Sequence, residues 1–185
     1  MDALEAILTR HSVSKVKPDP VAREIIEKLL HAAVQAPNHH QLRPWHFVVL
    51  TGQSRAALGM IMAQELKKKS PDVPEAGLEK ERLKPLRAPV LIAVAADKSI
   101  DPRVPEIENI CAVAAAVENL LVAARAEGLG AMWRTGPSVR EPEVKQFLGF
   151  RPDQELLSFV YIGYPDLEVP VVERPSFEDR TVWME

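Results

Sequence analysis

The sequence predicts an α+β fold in which helices pack on a sheet, and three observations predict it. Three segments repeat apolar residues three and four positions apart, the spacing of one helix face. Short apolar runs such as Phe47-Val48-Val49-Leu50 and Val90-Leu91-Ile92-Ala93-Val94 are bounded by breakers and read as strands. One further segment, Pro105 to Glu127, is apolar on nearly every side, which places it at the centre of a core or of an interface.

Taken in order, Leu4, Ile7 and Leu8 mark a first short helix ending near Arg10. Pro18 and Pro20 break the chain. Asp19 is suited to cap a second helix with Pro20 at its first position, and Val21, Ile25, Ile26, Leu29, Leu30 and Ala33 give that helix one broad apolar face. Pro37 stops it. His46–Leu50 is a strand, Thr51-Gly52-Gln53-Ser54 a turn, and Arg55–Lys68 a third helix with Leu58, Ile61, Met62 and Leu66 on one face. Residues 70–84 are charged and broken by proline, the pattern of a mobile helix or lid. Pro89–Ala96 is a buried strand, and 97–103 a loop. The long helix then runs to Glu127 and stops at Gly128, with Arg125 near its end. Gly130–Trp133 starts a strand, Pro142–Leu148 is a short helix ending at Gly149, and Leu156–Gly163 is a strand. The tail from Pro165 carries Pro170 and Pro175 and little periodicity, so it needs a surface to lie on.

With 185 residues and no linker composition, the chain is expected to form one domain, residues 1–185, with 165–185 as an extended tail. The 23 basic and 26 acidic residues leave a net charge of −3, which gives no reason to expect nucleic acid or an anionic membrane as partner. Cys111, the only cysteine, sits among Ile110, Ala112 and Val113 and reads as a buried small hydrophobe. No apolar run is read as a membrane span, and Met1-Asp2-Ala3-Leu4-Glu5 lacks the basic and apolar regions of a signal peptide. A cytoplasmic setting is expected.

Three clusters carry candidate chemistry. Arg10, His11 and Ser12 lie where the first helix ends. A helix C-terminus repels an anion, so phosphate binding there needs explicit cations and a hydroxyl; Arg10 offers a planar fork of donors and Ser12 a compact hydroxyl. The plainer reading is that Arg10 and His11 neutralise the helix end and Ser12 begins a turn. The second cluster is Gln35 with the loop Pro37-Asn38-His39-His40-Gln41-Leu42-Arg43-Pro44-Trp45. Neighbouring histidines point apart in most backbones, and no Cys or acidic cluster completes a metal shell around His39 and His40. Trp45 reads as packing. The third is Trp133-Arg134-Thr135-Gly136, where Arg134 supplies charge and Gly136 permits close approach; a strand-to-loop turn with an exposed arginine is the plainer alternative. Gly128-Leu129-Gly130 follows a helix and precedes a strand, the reverse of a dinucleotide fingerprint.

The three clusters in this order, with their spacing, resemble the nitroreductase family of FMN-dependent oxidoreductases, within it the small single-domain branch with a Trp-Arg-Ser/Thr-Gly motif. The resemblance spans Met1 to about Gly163. It implies a mainly antiparallel central sheet flanked by helices in an intertwined homodimer, with two FMN sites at the interface. It implies that Arg10, His11 and Ser12 line the FMN phosphate and ribityl chain, that Gln35 and His39 line the flavin, with His39 reaching across the interface, and that Trp133, Arg134 and Thr135 form the other half of the site. Where the family usually has a basic residue two positions after the serine, this chain has Ser14 followed by Lys15; Gln41 and Arg43 stand where many relatives carry Asn and Gln. The activity implied is NAD(P)H-dependent, ping-pong reduction of nitroaromatic, quinone or related acceptors, with no side chain named as acid or base. A flavin-binding protein of low turnover and a flavin-fragmenting enzyme are the alternatives.

Overall fold

The computed structural model describes residues 1–167 and 174–185. Among the described residues, four strands form one sheet: β1 (Trp45–Leu50), β2 (Val90–Ala96), β3 (Gly130–Arg134) and β4 (Glu155–Gly163). Their order is β1-β2-β4-β3 and every pairing is antiparallel. β3, expected only as the start of a strand, is a full edge strand; the chain segment after α1 (Ala3–Thr9) lies along its outer side, with Ser12 bridged to Ala131.

β2 is buried along its whole length because the sheet is covered on both faces. On one face α2 (Arg23–Ala33) and α5 (Glu106–Ala126) pack over Val90, Ile92, Val94, Val160 and Ile162. On the other, α3 (Gly52–Lys69) and α6 (Pro142–Phe147) cover Leu91, Ala93, Ala95, Phe159 and Tyr161. α2 buries Ile26, Leu29 and Ala33, three of the residues read as its apolar face. Its start differs from expectation. Asp19 and Pro20 do not begin it; Ala22 precedes Arg23 without a side-chain cap. The chain stays extended there because Lys17 N–H donates to the Tyr164 carbonyl (2.8 Å) and Val16 bridges Pro165, so pairing to the end of β4 overrides the local capping signal.

Thr51–Ser54 is likewise not a separate turn but the start of α3, with the Ser54 hydroxyl donating to the Thr51 carbonyl (2.6 Å). Within 70–84 lies α4 (Glu75–Arg82), docked against α3 with Leu78 and Glu81 buried. The approach is close enough that a Cβ on Gly59 would lie 2.1 Å from the Arg82 carbonyl oxygen.

α5 buries Ala112, Val113, Ala116, Val117, Leu120, Leu121 and Ala124. By length and composition it could cross a membrane, contrary to the expectation that no segment could, but here it packs on the sheet beside α2. Cys111, expected to be buried, is exposed together with Ile107 on the face of α5 turned away from the sheet. A helix apolar all round leaves its burial face to tertiary packing. α5 ends with Gly128 at φ 75°; Gly128 N–H donates to Arg125 and Leu129 N–H to Ala124 (2.8 Å), the paired bonds of a left-handed helix stop.

Candidate active site

Val13 N–H donates to the Ala131 carbonyl (3.0 Å), which with the Ser12–Ala131 bridge holds residues 10–13 against β3. Gly130 makes this approach possible: a Cβ there would fall 2.8 Å from Val13 Cβ. The first and third sequence clusters are therefore neighbours in space. Arg10 Nε lies 3.0 Å from Glu118 Oε1 on α5, and Arg125 from the same helix donates to the Thr9 hydroxyl (3.0 Å).

Among the described residues, two polar atoms in this region are buried without a partner, His11 Nε2 and Trp133 Nε1. His11 Nδ1 is 2.9 Å from the Thr9 carbonyl, which can only accept, so Nδ1 carries the hydrogen and a neutral ring leaves Nε2 as an acceptor. Trp133 Nε1–H can only donate. Unpaired buried groups of both kinds are costly and are expected where a ligand completes the structure.

Successive residues of a strand face opposite ways. Trp133 packs with Ala131 against the α2/α5 core, whereas Arg134 faces Tyr161, its guanidinium carbon 5.9 Å from the ring centroid. Burial raises the Tyr161 hydroxyl above the ordinary phenol range, so it stays protonated. Arg134, Thr135 and Gly136 line a cavity of about 280 Å³ together with Lys84, Arg87 and Ser138. Arg87 and Arg134 also border a smaller hollow beside Ser14. A basic side chain thus stands near the position where the sequence has serine, but it comes from the turn before β2. Lys84 is paired with Glu81, which also accepts from the Ser138 hydroxyl (3.1 Å). Sequence reasoning did not single out Lys84 or Arg87; their placement in the short turn joining α4 to β2 was the available signal. It also missed Arg174, whose Nη2 donates to the Arg10 carbonyl (2.7 Å) and brings a second positive charge beside Arg10.

The second cluster lies after α2 and meets α5 at a different place, through His39. Gln35 is exposed and donates to the His31 carbonyl (3.2 Å). His39 Nδ1 lies 2.5 Å from Glu108 Oε2. Glu108 and Glu118 are ten residues apart on α5, about 15 Å at 1.5 Å per residue, so one chain anchors His39 and Arg10 at separate places. The loop itself is strained: His40, Gln41 and Arg43 have φ of 48°, 53° and 49°, a left-handed region costing about 1 kcal/mol or more per such residue. Asn38 secures it by accepting from Arg43 N–H (2.8 Å). The left-handed turn at His40 also corrects the expectation that the two histidines point apart. Their rings stack, with centroids 4.3 Å apart. At the far side of this region Asp97 accepts from His46 (2.9 Å), Arg151 (2.7 Å) and Gln154 (2.8 Å), tying β1, β2 and the start of β4 together.

Against known proteins, the model of the Nitroreductase family matches residues 7–164. The chain is 32% identical over 168 residues to the putative NAD(P)H nitroreductase YdjA of Escherichia coli, covering 91% of each. Its fold is similar to a nitroreductase-like family protein from Bacillus cereus, with a TM-score of 0.82 at 23% identity, covering 100% of this chain and 97% of that one. It is also similar to the FMN and NADPH-dependent nitroreductase NfnB from sphigopyxis sp. strain HMH, with a TM-score of 0.80 at 18% identity and 100% coverage of both. The antiparallel sheet with helices on both faces, the sequence match over most of the chain and these relatives agree, and the chain belongs to the Nitroreductase family of oxidoreductases.

Proposed function

We propose that the protein is an FMN-dependent NAD(P)H oxidoreductase that works as a homodimer. The observation that carries the reading is the packing of Arg10-His11-Ser12 against β3, with the buried His11 Nε2 and Trp133 Nε1 left unpaired beside it. The donor set fits FMN. Arg10 and Arg174 hold the phosphate charge, with the Ser12 hydroxyl as a further donor. Trp133 N–H, Thr135 and His11 bound the ring system. Lys84, Arg87 and Arg134 make the neighbouring cavity electropositive, which favours negative charge on whatever lies there. FMN held there would supply the redox chemistry, carrying electrons from NAD(P)H to a nitroaromatic, quinone or related acceptor. The protein binds, orients and excludes water, and no side chain is assigned as acid or base. One stacking site used for both donor and acceptor implies ping-pong kinetics.

The homodimer reading is supported by exposed apolar residues that one chain does not cover: Leu4, Ile7 and Leu8 on α1, and Ile107 with Cys111 on α5. In such a dimer His39 and Gln35 of one chain would complete the Arg10–Ser12 site of the other, since within one chain the α5 anchors of His39 and Arg10 stand about 15 Å apart. We assign residues 1–185 to a single domain and the protein to the cytoplasm. An anaerobic titration tests the reading. The FMN-loaded protein should bleach on adding NADPH under argon and recover its colour with nitrofurazone or a quinone. Failure to bleach with NADPH or NADH overturns the reductase; consumption of the flavin itself during aerobic reduction indicates fragmentation instead.

A further inference from the structure

We propose that a hollow at the start of β2, lined by Lys17, Arg55 and Arg87, binds a phosphate monoester at a place separate from the FMN phosphate. The phosphate has two sources, a free phosphate compound or the 2′-phosphate of NADPH, and only the second rests on the redox reading above.

The hollow measures about 220 Å³ and lies between residues 16–18 and the turn 86–89. Its walls are fixed. Lys17 N–H donates to the Tyr164 carbonyl (2.8 Å) and Val16 bridges Pro165. Gly163 lets the two walls approach, since a Cβ there would fall 2.8 Å from Pro89 Cδ and 2.9 Å from Val16 Cβ. Arg55, from the first turn of α3, is anchored by Nη1, which donates to the Ala88 carbonyl.

Three basic side chains line this space and no acidic one does. The chain has more acidic than basic residues, and Arg10, Lys28, Lys69 and Arg82 all find carboxylates. Among the described residues, Lys17, Arg55 and Arg87 form no ion pair. Like charges gathered without a counterion repel one another, so their convergence favours an anion. Arg55 Nε is moreover buried without a partner among those residues, and burial lowers the guanidinium from its ordinary range. A phosphate monoester matches this donor set. It carries close to two charges and three acceptor oxygens, enough for two guanidinium forks and an ammonium, whereas a carboxylate has one charge and two oxygens.

The hollow is smaller than the roughly 300–1,000 Å³ of sites that enclose a drug-sized molecule, so it holds one end of a ligand or a small anion. Ser12 and Lys17 stand five residues apart on a segment tied to the sheet at Ser12 and Val16, up to about 17 Å at extended spacing. Arg10 turns to α5, whereas the hollow takes a wall from α3. Arg87 borders this hollow, the small one beside Ser14 and the cavity containing Arg134 and Thr135. A ligand anchored by its phosphate can therefore extend past Arg87 toward Thr135, which admits NADPH as a source.

Isothermal titration of the FMN-loaded protein with inorganic phosphate, at ionic strength held constant with potassium chloride, is the first arm of the test. Saturable binding is expected. It should weaken about tenfold in Arg55→Gln, the scale of one charge-assisted contact, and about threefold in Lys17→Gln, which is more exposed. Because Arg55 also holds Ala88, Lys17→Gln carries the test if Arg55→Gln does not fold. The second arm titrates NADP⁺ and NAD⁺, which differ only in the 2′-phosphate. Tighter binding of NADP⁺, reduced in the variants, identifies NADPH as the source. Equal affinity for the two dinucleotides, with phosphate binding retained, identifies a free phosphate compound. The proposal is overturned by the absence of both phosphate binding and a preference for NADP⁺, or by binding that both variants leave unchanged. Failure of the flavin to bleach with NADPH or NADH removes the reductase reading and leaves the phosphate result standing.

Discussion

Gly59→Ala sets two physical effects against each other. Alanine in a helix interior is favoured over glycine by about 1 kcal/mol, so α3 considered alone predicts a more stable protein. The packing predicts the opposite. The new Cβ would lie 2.1 Å from the Arg82 carbonyl oxygen and 2.9 Å from its carbonyl carbon, both backbone atoms that cannot rotate away. Restoring an ordinary contact requires α4 to retreat by more than about 1 Å, and overpacking of this kind costs about 1–3 kcal/mol, more where backbone must move. With the upper end of that range offset by propensity, the net expected effect is about 2 kcal/mol of destabilisation. At a slope of about 2 kcal/mol per molar urea, the unfolding midpoint should fall by about 1 M at fixed protein concentration. The shift should also reach the site, because the turn carrying Lys84 and Arg87 follows α4 directly; FMN should bind more weakly to the folded variant. A midpoint that stays level or rises, with unchanged FMN affinity, would show that the α3–α4 contact is soft and refute the reasoning.

Arg10→Ala should weaken FMN binding by roughly 1.5–3 kcal/mol, the scale of a hydrogen bond to a charged group, and more than Arg10→Lys; equal affinities in a fluorescence titration would take Arg10 out of the site. His39→Ala should lower FMN affinity or shift the flavin spectrum while the dimer persists, and because the rings stack, His40→Ala should follow it in direction. An unaltered spectrum and affinity for both would sever the loop from the cofactor. Burial by itself would raise the Asp97 carboxyl, but hydrogen bonds from Gln154, His46 and Arg151 outweigh it and hold the group below the usual carboxylate range. A depressed folded value means that its contribution is present above the unfolded pKa, about 3.9, and is lost as pH falls through the folded value. Asp97→Asn should therefore lose stability at pH 7 and show a flatter decline below pH 4 than wild type; parallel acid limbs would contradict this.

The helices were legible where one face is apolar and the other polar, as in α2, where Ile26, Leu29 and Ala33 are buried as their spacing indicates. α5 was legible as a helix but not as an oriented one. Its alanines and valines cover all sides, so nothing in the periodicity separates Val113, which meets the sheet, from Cys111, which does not. Asp19-Pro20 is a sound local capping signal that lost to pairing with the end of β4, an interaction nearly 150 residues away in sequence. At the candidate site the ordered motifs identified segments, and the bridge between Ser12 and Ala131 brings two of them together. Left-handed backbone at His40, Gln41 and Arg43 leaves little trace in composition, since none is glycine. Lys84, Arg87 and Arg174 belong to no motif; they reach the site through the folding of segments remote from it.

The opposed facings of Trp133 and Arg134 constrain how this protein can vary. One short strand serves two differently furnished chambers with adjacent residues, one dry and one cationic. Point substitutions can therefore adjust either chamber while leaving the other alone. A slip or insertion of a single residue in β3 would do something quite different. It would drive a guanidinium into the apolar layer beneath α5 and turn the indole toward Lys84 and Arg87, exchanging the contents of both chambers at once. Diversification at this edge should proceed by replacement within a fixed strand length, with insertions and deletions displaced to the loop after Gly136.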